Sequence, residues 1–259
     1  MEEILICKIL MNQSQVFNMK LFVLGSSSTG NGYLLHHEGE ALVLEAGVKL
    51  HKVKLKLNFQ ISNIKGCLVS HSHKDHARFV SDYANAGINI LAPDDVFTNY
   101  HNRFHPVIPG KGYMLGNFRI IPFDVLHDTP CYGYLINHPV SGRIVFLTDT
   151  YLCEYIFPDL KHIIIEANYA DDILEENILF GSERPAKRER LLTSHMEIKS
   201  TKAFLKAQDL SPVQNIILIH LSDNNSHARR FHHEITALTG KQVYVAHPGL
   251  EIDLSKNLF

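Results

Sequence analysis

His71-Ser72-His73-Lys74-Asp75-His76 follows directly on Cys67-Leu68-Val69-Ser70, an apolar run that reads as the end of a buried strand. Three imidazoles and a carboxylate so close together answer no packing need. Imidazole is the commonest metal ligand, and nitrogen with oxygen donors suits zinc, manganese or iron. The chain holds 17 histidines in 259 residues, so one pair would mean little and the spacing carries the weight. The plain alternative is a polar surface loop that happens to be His-rich. On an extended or tightly turned segment His71 and His73 can converge on one ion, and Asp75 and His76 can face a second. One loop cannot close two sites, so further ligands are expected downstream.

Working outward, the length allows one large domain or two small ones with a sizeable core. Hydrophobic residues make up 45% and the net charge is −2, which gives no global positive field toward nucleic acid or membrane. An anionic partner must therefore meet a local basic patch or metal ions. Cys7, Cys67, Cys131 and Cys153 are far apart with no Cys-x-x-Cys pair, which argues against a disulfide framework and against cysteine-bound zinc. A reducing, cytoplasmic setting is expected. No apolar run is long enough for a membrane span, and Met1 to Asn18 lacks the order of a signal peptide. Met19-Lys20-Leu21-Phe22 looks like a second beginning. Residues 1–18 are read as an N-terminal extension or the product of an upstream start, and 19–259 as the domain proper.

In chain order, Leu21 to Leu24 reads as a buried strand followed by the tight turn Gly25-Ser26-Ser27-Ser28-Thr29-Gly30-Asn31-Gly32. That turn could present N–H groups to an anion, but it lacks the Lys-Ser/Thr ending of a Walker loop. Tyr33–His37 and Ala41–Leu44 form a hairpin. Leu50 to Leu57 fits either a strand or a short helix. Arg78 to Ala86 reads as a helix, as does Pro93 through Tyr100. Strands are expected at Phe118–Phe123, Tyr132–Ile136, Ile144–Leu147, Lys161–Asn168, Asn215–Ile219 and Val243–Ala246. Helices are expected at Asp171–Leu179, Ile198–Gln208 and His227–Leu238. Gly181 to Arg190 reads as a basic loop. Two sheets covered by outer helices account for this mixture.

His127, Asp149, Glu166, His195, His220 and His247 each sit at or just past the end of an apolar strand or run. Strand ends on one sheet edge are where a rigid scaffold places functional groups. A lone histidine there is more often a bystander. Six polar residues so placed, after a three-His loop, shift the balance.

His71-x-His73-x-Asp75-His76, an isolated His127, Asp149 in Leu-Thr-Asp-Thr and His220 in Ile-His-Leu-Ser together resemble the metallo-β-lactamase fold superfamily over most of residues 20–250. Gly25 to Gly32, Ile165-Glu166-Ala167-Asn168 and Ile219 to Asn225 resemble its YycJ/WalJ-like branch more closely. The resemblance implies an αββα sandwich with the metals at the sheet edge. It implies that His71, His73 and His127 bind one divalent ion, that Asp75, His76 and His220 bind another, and that Asp149 bridges them. Zinc is the expected metal, with manganese or iron as alternatives. Two features depart from the family pattern. The segment around His195 keeps the histidine but not its neighbours, and Glu45 stands where aspartate is common.

The expected chemistry is phosphodiester hydrolysis by a hydroxide shared between two cations. Asp75 is the candidate to orient or deprotonate the water, and His195, by likeness to related nucleases, the candidate general acid. Glu166 is read as orienting a metal-bound histidine, assisted by Asn168. His247 stays a structural or rim residue. Arg184, Lys187, Arg188 and Arg190 are candidate phosphate grips, with simple solvation as the alternative. The expectation is a nuclease of the DNA exonuclease type with nucleic acid as substrate. The alternatives are a small cyclic or linear phosphodiesterase, a thioesterase, or a non-catalytic metal-binding protein. The sequence leaves the oligomeric state open.

Overall fold

The computed structural model describes residues 18–256, without the side chains of residues 185–187. The reading of residues 1–18 as an extension falls, but for Asn18, outside the described residues. Strands β1 (Lys20–Gly25), β2 (Gly32–His37) and β3 (Glu40–Leu44) form an antiparallel meander. Parallel strands β4 (Ile64–Leu68), β5 (Ile90–Ala92) and β6 (Phe104–Pro106) extend it. The last strand, β14 (Glu251–Asp253), returns to pair with β1 and completes seven strands.

The second sheet also has seven strands. Its antiparallel part is β7 (Tyr113–Leu115), β8 (Phe118–Val125), β9 (Cys131–His138) and β10 (Gly142–Leu147). From β10 onward, β11 (Leu160–Glu166), β12 (Asn215–Ile219) and β13 (Gln242–Val245) run parallel.

Side chains of a strand alternate between faces, and here both faces are used. Leu21, Val23, Tyr33, Leu35 and Leu42 of the first sheet meet Tyr134, Phe146, Ile164, Ile217 and Ile219 of the second in a central core. The intervening Phe22, Leu34 and Val43 pack outward on helices α1 (Leu50–Lys56), α2 (Lys74–Ala77) and α3 (Val80–Asn85). Likewise Ile163, Ile165, Ile216 and Leu218 pack outward on α6 (Ile198–Ala207) and α7 (Ala228–Thr239). Strands covered on both faces must be apolar throughout, which is why Ile163–Ile165 and Ile216–Ile219 are unbroken runs. The result is an αββα sandwich.

Helices α4 (Asp171–Leu179) and α5 (Pro185–Ser194) complete the set. Residues 50–57, open between two readings, form helix α1, because Leu50 and Val53 share its buried face. The expected helix Arg78–Ala86 is shorter and split from α2, since the Phe79 N–H donates to the Ala46 carbonyl at 2.9 Å. The helix expected from Pro93 to Tyr100 reduces to a single 3-10 turn at Asp94–Val96. Phe97 leaves it extended and stacks on Phe104 with ring centroids 4.4 Å apart. The basic segment expected as a loop is mostly helix α5, with Pro185 in its first turn. The run after Pro185 is rich in strong helix formers, and Leu191 packs on Tyr169 and Leu174.

Cys67, Cys131 and Cys153 are free thiols. Among the described residues no helix is long and apolar enough to cross a membrane.

Candidate metal centre

The parallel strands deliver their carboxyl ends to one edge of the sandwich, the usual place for a site in open α/β sheets. Three of these strands end in a left-handed residue: Glu45 after β3 (φ 68°), Asp149 after β10 (φ 45°) and His220 after β12 (φ 53°). Such a conformation costs a non-glycine residue about 1–2 kcal/mol, and the surrounding contacts hold all three in it. The chain leaving β4 carries His71, bends at Ser72 and His73, and enters α2, which supplies Asp75 and His76.

Donor atoms of His71, His73, His127 and Asp149 all lie within 4.8 Å of one another, and so do those of Asp75, His76, Asp149 and His220. Asp149 belongs to both groups. Its Oδ2 is 3.7 Å from His71 Nε2, and its Oδ1 is 3.3 Å from His76 Nε2 and 2.8 Å from His220 Nδ1. A third group within the same limit joins Asp149, Glu166, His195 and His220.

The protein holds the outer nitrogen of most of these rings. His71 Nδ1 meets Ser70 Oγ at 2.9 Å, and His127 Nδ1–H donates to the Ser194 carbonyl at 2.9 Å. His220 Nδ1–H is 3.0 Å from Glu166 Oε1. His76 Nδ1 is 3.5 Å from Glu45 Oε1, whose carboxylate also accepts from the Ser70 N–H. His73 is reversed: its Nε2 is 3.3 Å from Asp128 Oδ1, and its Nδ1 is 3.3 Å from His127 Nε2. The Nε2 atoms of His71 and His220 are buried and make no well-aligned hydrogen bond, facing instead the carboxylates of Asp149 at 3.7 Å and Asp75 at 3.3 Å. Buried nitrogens with their opposite N–H engaged are the arrangement expected of neutral imidazole ligands.

Charge points the same way. Burial pushes the Asp149 carboxyl up, yet His220 and His76 pull it down further, to well below the usual carboxylate range. Burial opposes the charge on His76 and His220, but Asp149 raises both well above an ordinary histidine. Burial, with help from His76, holds His71 well below the ordinary value. The carboxylates thus demand compensating positive charge, which protons on His76 and His220 supply. Divalent cations could supply it instead and release those protons. Donor set, buried nitrogens and charge all fit divalent metal binding.

His195 Nδ1 sits 2.8 Å from Glu166 Oε1, and Glu166 Oε2 accepts from the Met196 N–H at 3.0 Å and from the Thr150 N–H at 3.3 Å. Burial lowers His195, but Glu166 and Asp149 raise it above the ordinary value. Asn168 Nδ2 donates to the His220 carbonyl at 2.8 Å, so it positions His220 through the backbone. A cleft of about 360 Å³ opens over this centre, lined by His73, Asp75, Asp149, His195, His220 and Arg190 among others.

Of the basic residues read as phosphate grips whose side chains are described, Arg190 lines that cleft and Arg184 and Arg188 do not. Arg188 pairs with Glu175 at 3.4 Å, and Arg184 is exposed at the start of α5. The side chain of Lys187 lies outside the described residues. His247 is exposed, away from this cleft. Sequence reasoning missed the supporting groups. Asn31 Nδ2 lies 3.0 Å from His76 Nε2, the Thr148 hydroxyl donates to Asp149 Oδ1 at 2.6 Å, and Asp128 Oδ1 is 3.1 Å from His127 Nε2. Thr148 and Asp128 could have been found by position, since each adjoins a ligand in sequence, whereas Asn31 in the glycine-serine turn carries no local signal.

Among curated proteins the chain is 24% identical over 227 residues to the exodeoxyribonuclease WalJ of Streptococcus pneumoniae serotype 2 (strain D39 / NCTC 7466), which covers 80% of this chain and 83% of that protein. It is 23% identical over 221 residues to the exodeoxyribonuclease YycJ of Bacillus anthracis, covering 78% and 83%. Among solved structures, the metallo-β-lactamase fold protein YhfI from Bacillus subtilis superposes with a TM-score of 0.70 at 18% identity, over 91% of this chain and 99% of that one. No family model matches the chain. The fold is the metallo-β-lactamase fold.

Proposed function

We propose that this protein is a metal-dependent phosphodiesterase, a nuclease acting on DNA in the manner of an exonuclease. The observation that carries the reading is the sharing of one buried carboxylate, Asp149, between two His/Asp donor groups beneath an open cleft. The names of the two exodeoxyribonucleases it resembles support DNA as the polymer. In this reading His71, His73 and His127 would hold one cation and Asp75, His76 and His220 a second, with Asp149 between them. Zinc suits the nitrogen and oxygen donors, and manganese or iron would also be accepted. Divalent cations, when bound, supply Lewis acidity toward a phosphoryl oxygen and make a water molecule acidic near neutral pH.

The remaining steps belong to side chains of this protein. Asp75, with a fifth of its side chain exposed at the cleft, orients the attacking water and takes up its proton. Glu166, hydrogen-bonded to its Nδ1, favours the protonated form of His195. His195 can pass a proton to the leaving oxygen. Glu166 fixes the ring through Nδ1, and Arg190 offers the cleft a cation for a non-bridging phosphate oxygen.

The test is hydrolysis of bis-p-nitrophenyl phosphate and of end-labelled single-stranded DNA by the metal-loaded protein and by Asp149→Ala. Both activities should vanish in the variant while its circular dichroism spectrum is kept. Unchanged turnover in the variant would sink the proposal.

A further inference from the structure

A second cleft, of about 780 Å³, lies beside the metal-side cleft. Ser28 lines the metal side, whereas its neighbours Ser27 and Thr29 line the second cleft. Leu221 and Ser222 line both, so the two clefts adjoin across the glycine-serine turn and the segment that follows His220. The second cleft is more than roomy enough for a single phosphate, and it is basic. Lys49, Lys52 and Arg78 line it, against one acid, Asp223.

This charge is local, because the whole chain carries −2. All three basic side chains belong to exposed residues. Ion pairs among the described residues engage other cations, namely Lys56, Lys161, Arg188, Lys199, Lys202 and Arg230. Lys52 Nζ donates instead to the Leu24 carbonyl at 3.0 Å, which keeps its ammonium at the end of β1. Phe79 and Pro248 add apolar surface to the same cleft. Cations beside apolar surface suit a strand of alternating phosphates, sugars and bases.

We propose that this cleft holds the polynucleotide strand next to the phosphodiester being cut, with Lys49, Lys52 and Arg78 neutralising its phosphates. That the bound strand adjoins a bond being cut rests on the hydrolase reading above; the binding itself does not. The cleft continues the reach of the metal centre beyond Arg190, which α5 places in the metal-side cleft.

The experiment is fluorescence anisotropy of a labelled single-stranded oligonucleotide with phosphorothioate linkages, titrated with metal-loaded protein over a range of salt. Lys49→Glu/Arg78→Glu should weaken binding by at least about tenfold and flatten the slope of log K against log salt by ~0.7 for each phosphate that is no longer neutralised. Lys49→Gln/Lys52→Gln asks the same question without touching the histidine loop and should flatten the slope likewise. The net-charge control makes the same changes in charge outside both clefts, as Lys206→Glu for the glutamine pair and as Lys111→Glu/Lys206→Glu for the glutamate pair, both residues being exposed. Affinity and slope matching the corresponding control in both cleft variants would overturn the proposal. So would a loss of affinity with an unchanged slope, since these cations would then not be meeting phosphates. Failure of the wild-type protein to hydrolyse bis-p-nitrophenyl phosphate would bring down the hydrolase reading and leave this binding result standing.

Discussion

Gly47 and Asp75 approach so closely that a Cβ built on Gly47 would lie 1.7 Å from the Asp75 carbonyl oxygen. The same Cβ would stand 2.7 Å from the Asn31 nitrogen, and the Asn31 N–H donates to that Asp75 carbonyl at 2.7 Å. Three distant segments therefore meet at one point: the glycine-serine turn, the exit from β3 and the histidine loop. Only a residue without a side chain fits between them.

Gly47→Ala should accordingly be costly. Both obstructing atoms are backbone, so no side chain can rotate away, and Asp75 must shift together with Asn31. The expected loss is about 3 kcal/mol, the upper end for overpacking, with reduced metal content because Asp75 and His76 share α2. Urea denaturation and metal analysis of the purified variant measure both. A denaturation midpoint equal to wild type would mean that the loop does not depend on this contact.

His195→Ala separates two roles for one ring. His195 stands in a donor group with Asp149, Glu166 and His220, yet its Nδ1 is taken by Glu166. If it donates a proton to the leaving oxygen, kcat should fall by about 10²–10⁴ with the metal content intact. A substrate with a better leaving group should recover much of that loss. Metal content falling in step with activity would instead place His195 among the ligands.

Glu166→Gln tests the support of the ligands. The carboxylate receives His195, His220 and two backbone N–H groups while fully buried. A glutamine matches its shape but turns an NH₂ group toward donors. Metal affinity should drop by about 10–100-fold, the usual loss when a ligand's partner is removed. Competition with a fluorescent chelator reads this directly, and an unchanged affinity would show that the His220 ring is held by Asp149 alone.

Much of the fold and of the site is legible in the sequence, for physical reasons. Ile163–Ile165 and Ile216–Ile219 have to be strands covered on both faces, because no exposed strand tolerates such runs. The histidine loop announced itself by spacing, and its partners by their place at strand ends. The failures share a cause. Residues 93–100 have a helix-like start, but the stacking of Phe97 on Phe104 draws the chain out. Residues 181–190 read as a basic loop because charge masks the helix-forming run behind Pro185. Asn31 reads as a turn residue, since nothing local shows that Asp75 and His76 pack against it. In each case the deciding contact joins residues far apart in sequence.

His162 offers a pH test away from the metal centre. It stands near the opposite end of β11 from Glu166, fully buried, with its Nδ1 3.1 Å from Asn215 Nδ2. Burial pushes its pKa from 6.5 down to about 4. The neutral ring is thus what the folded state holds, while the unfolded chain takes up a proton near 6.5. Its contribution is fully present above pH 6.5 and is lost as pH falls from there toward about 4. The shift is worth about 3 kcal/mol. Wild type and His162→Gln should therefore differ in unfolding free energy by an amount that moves about 3 kcal/mol in the variant's favour across that window, because glutamine never ionises. Urea denaturation of both proteins at several pH values gives the comparison. Parallel stability curves would show that the buried ring is not the group that makes this fold sensitive to mild acid.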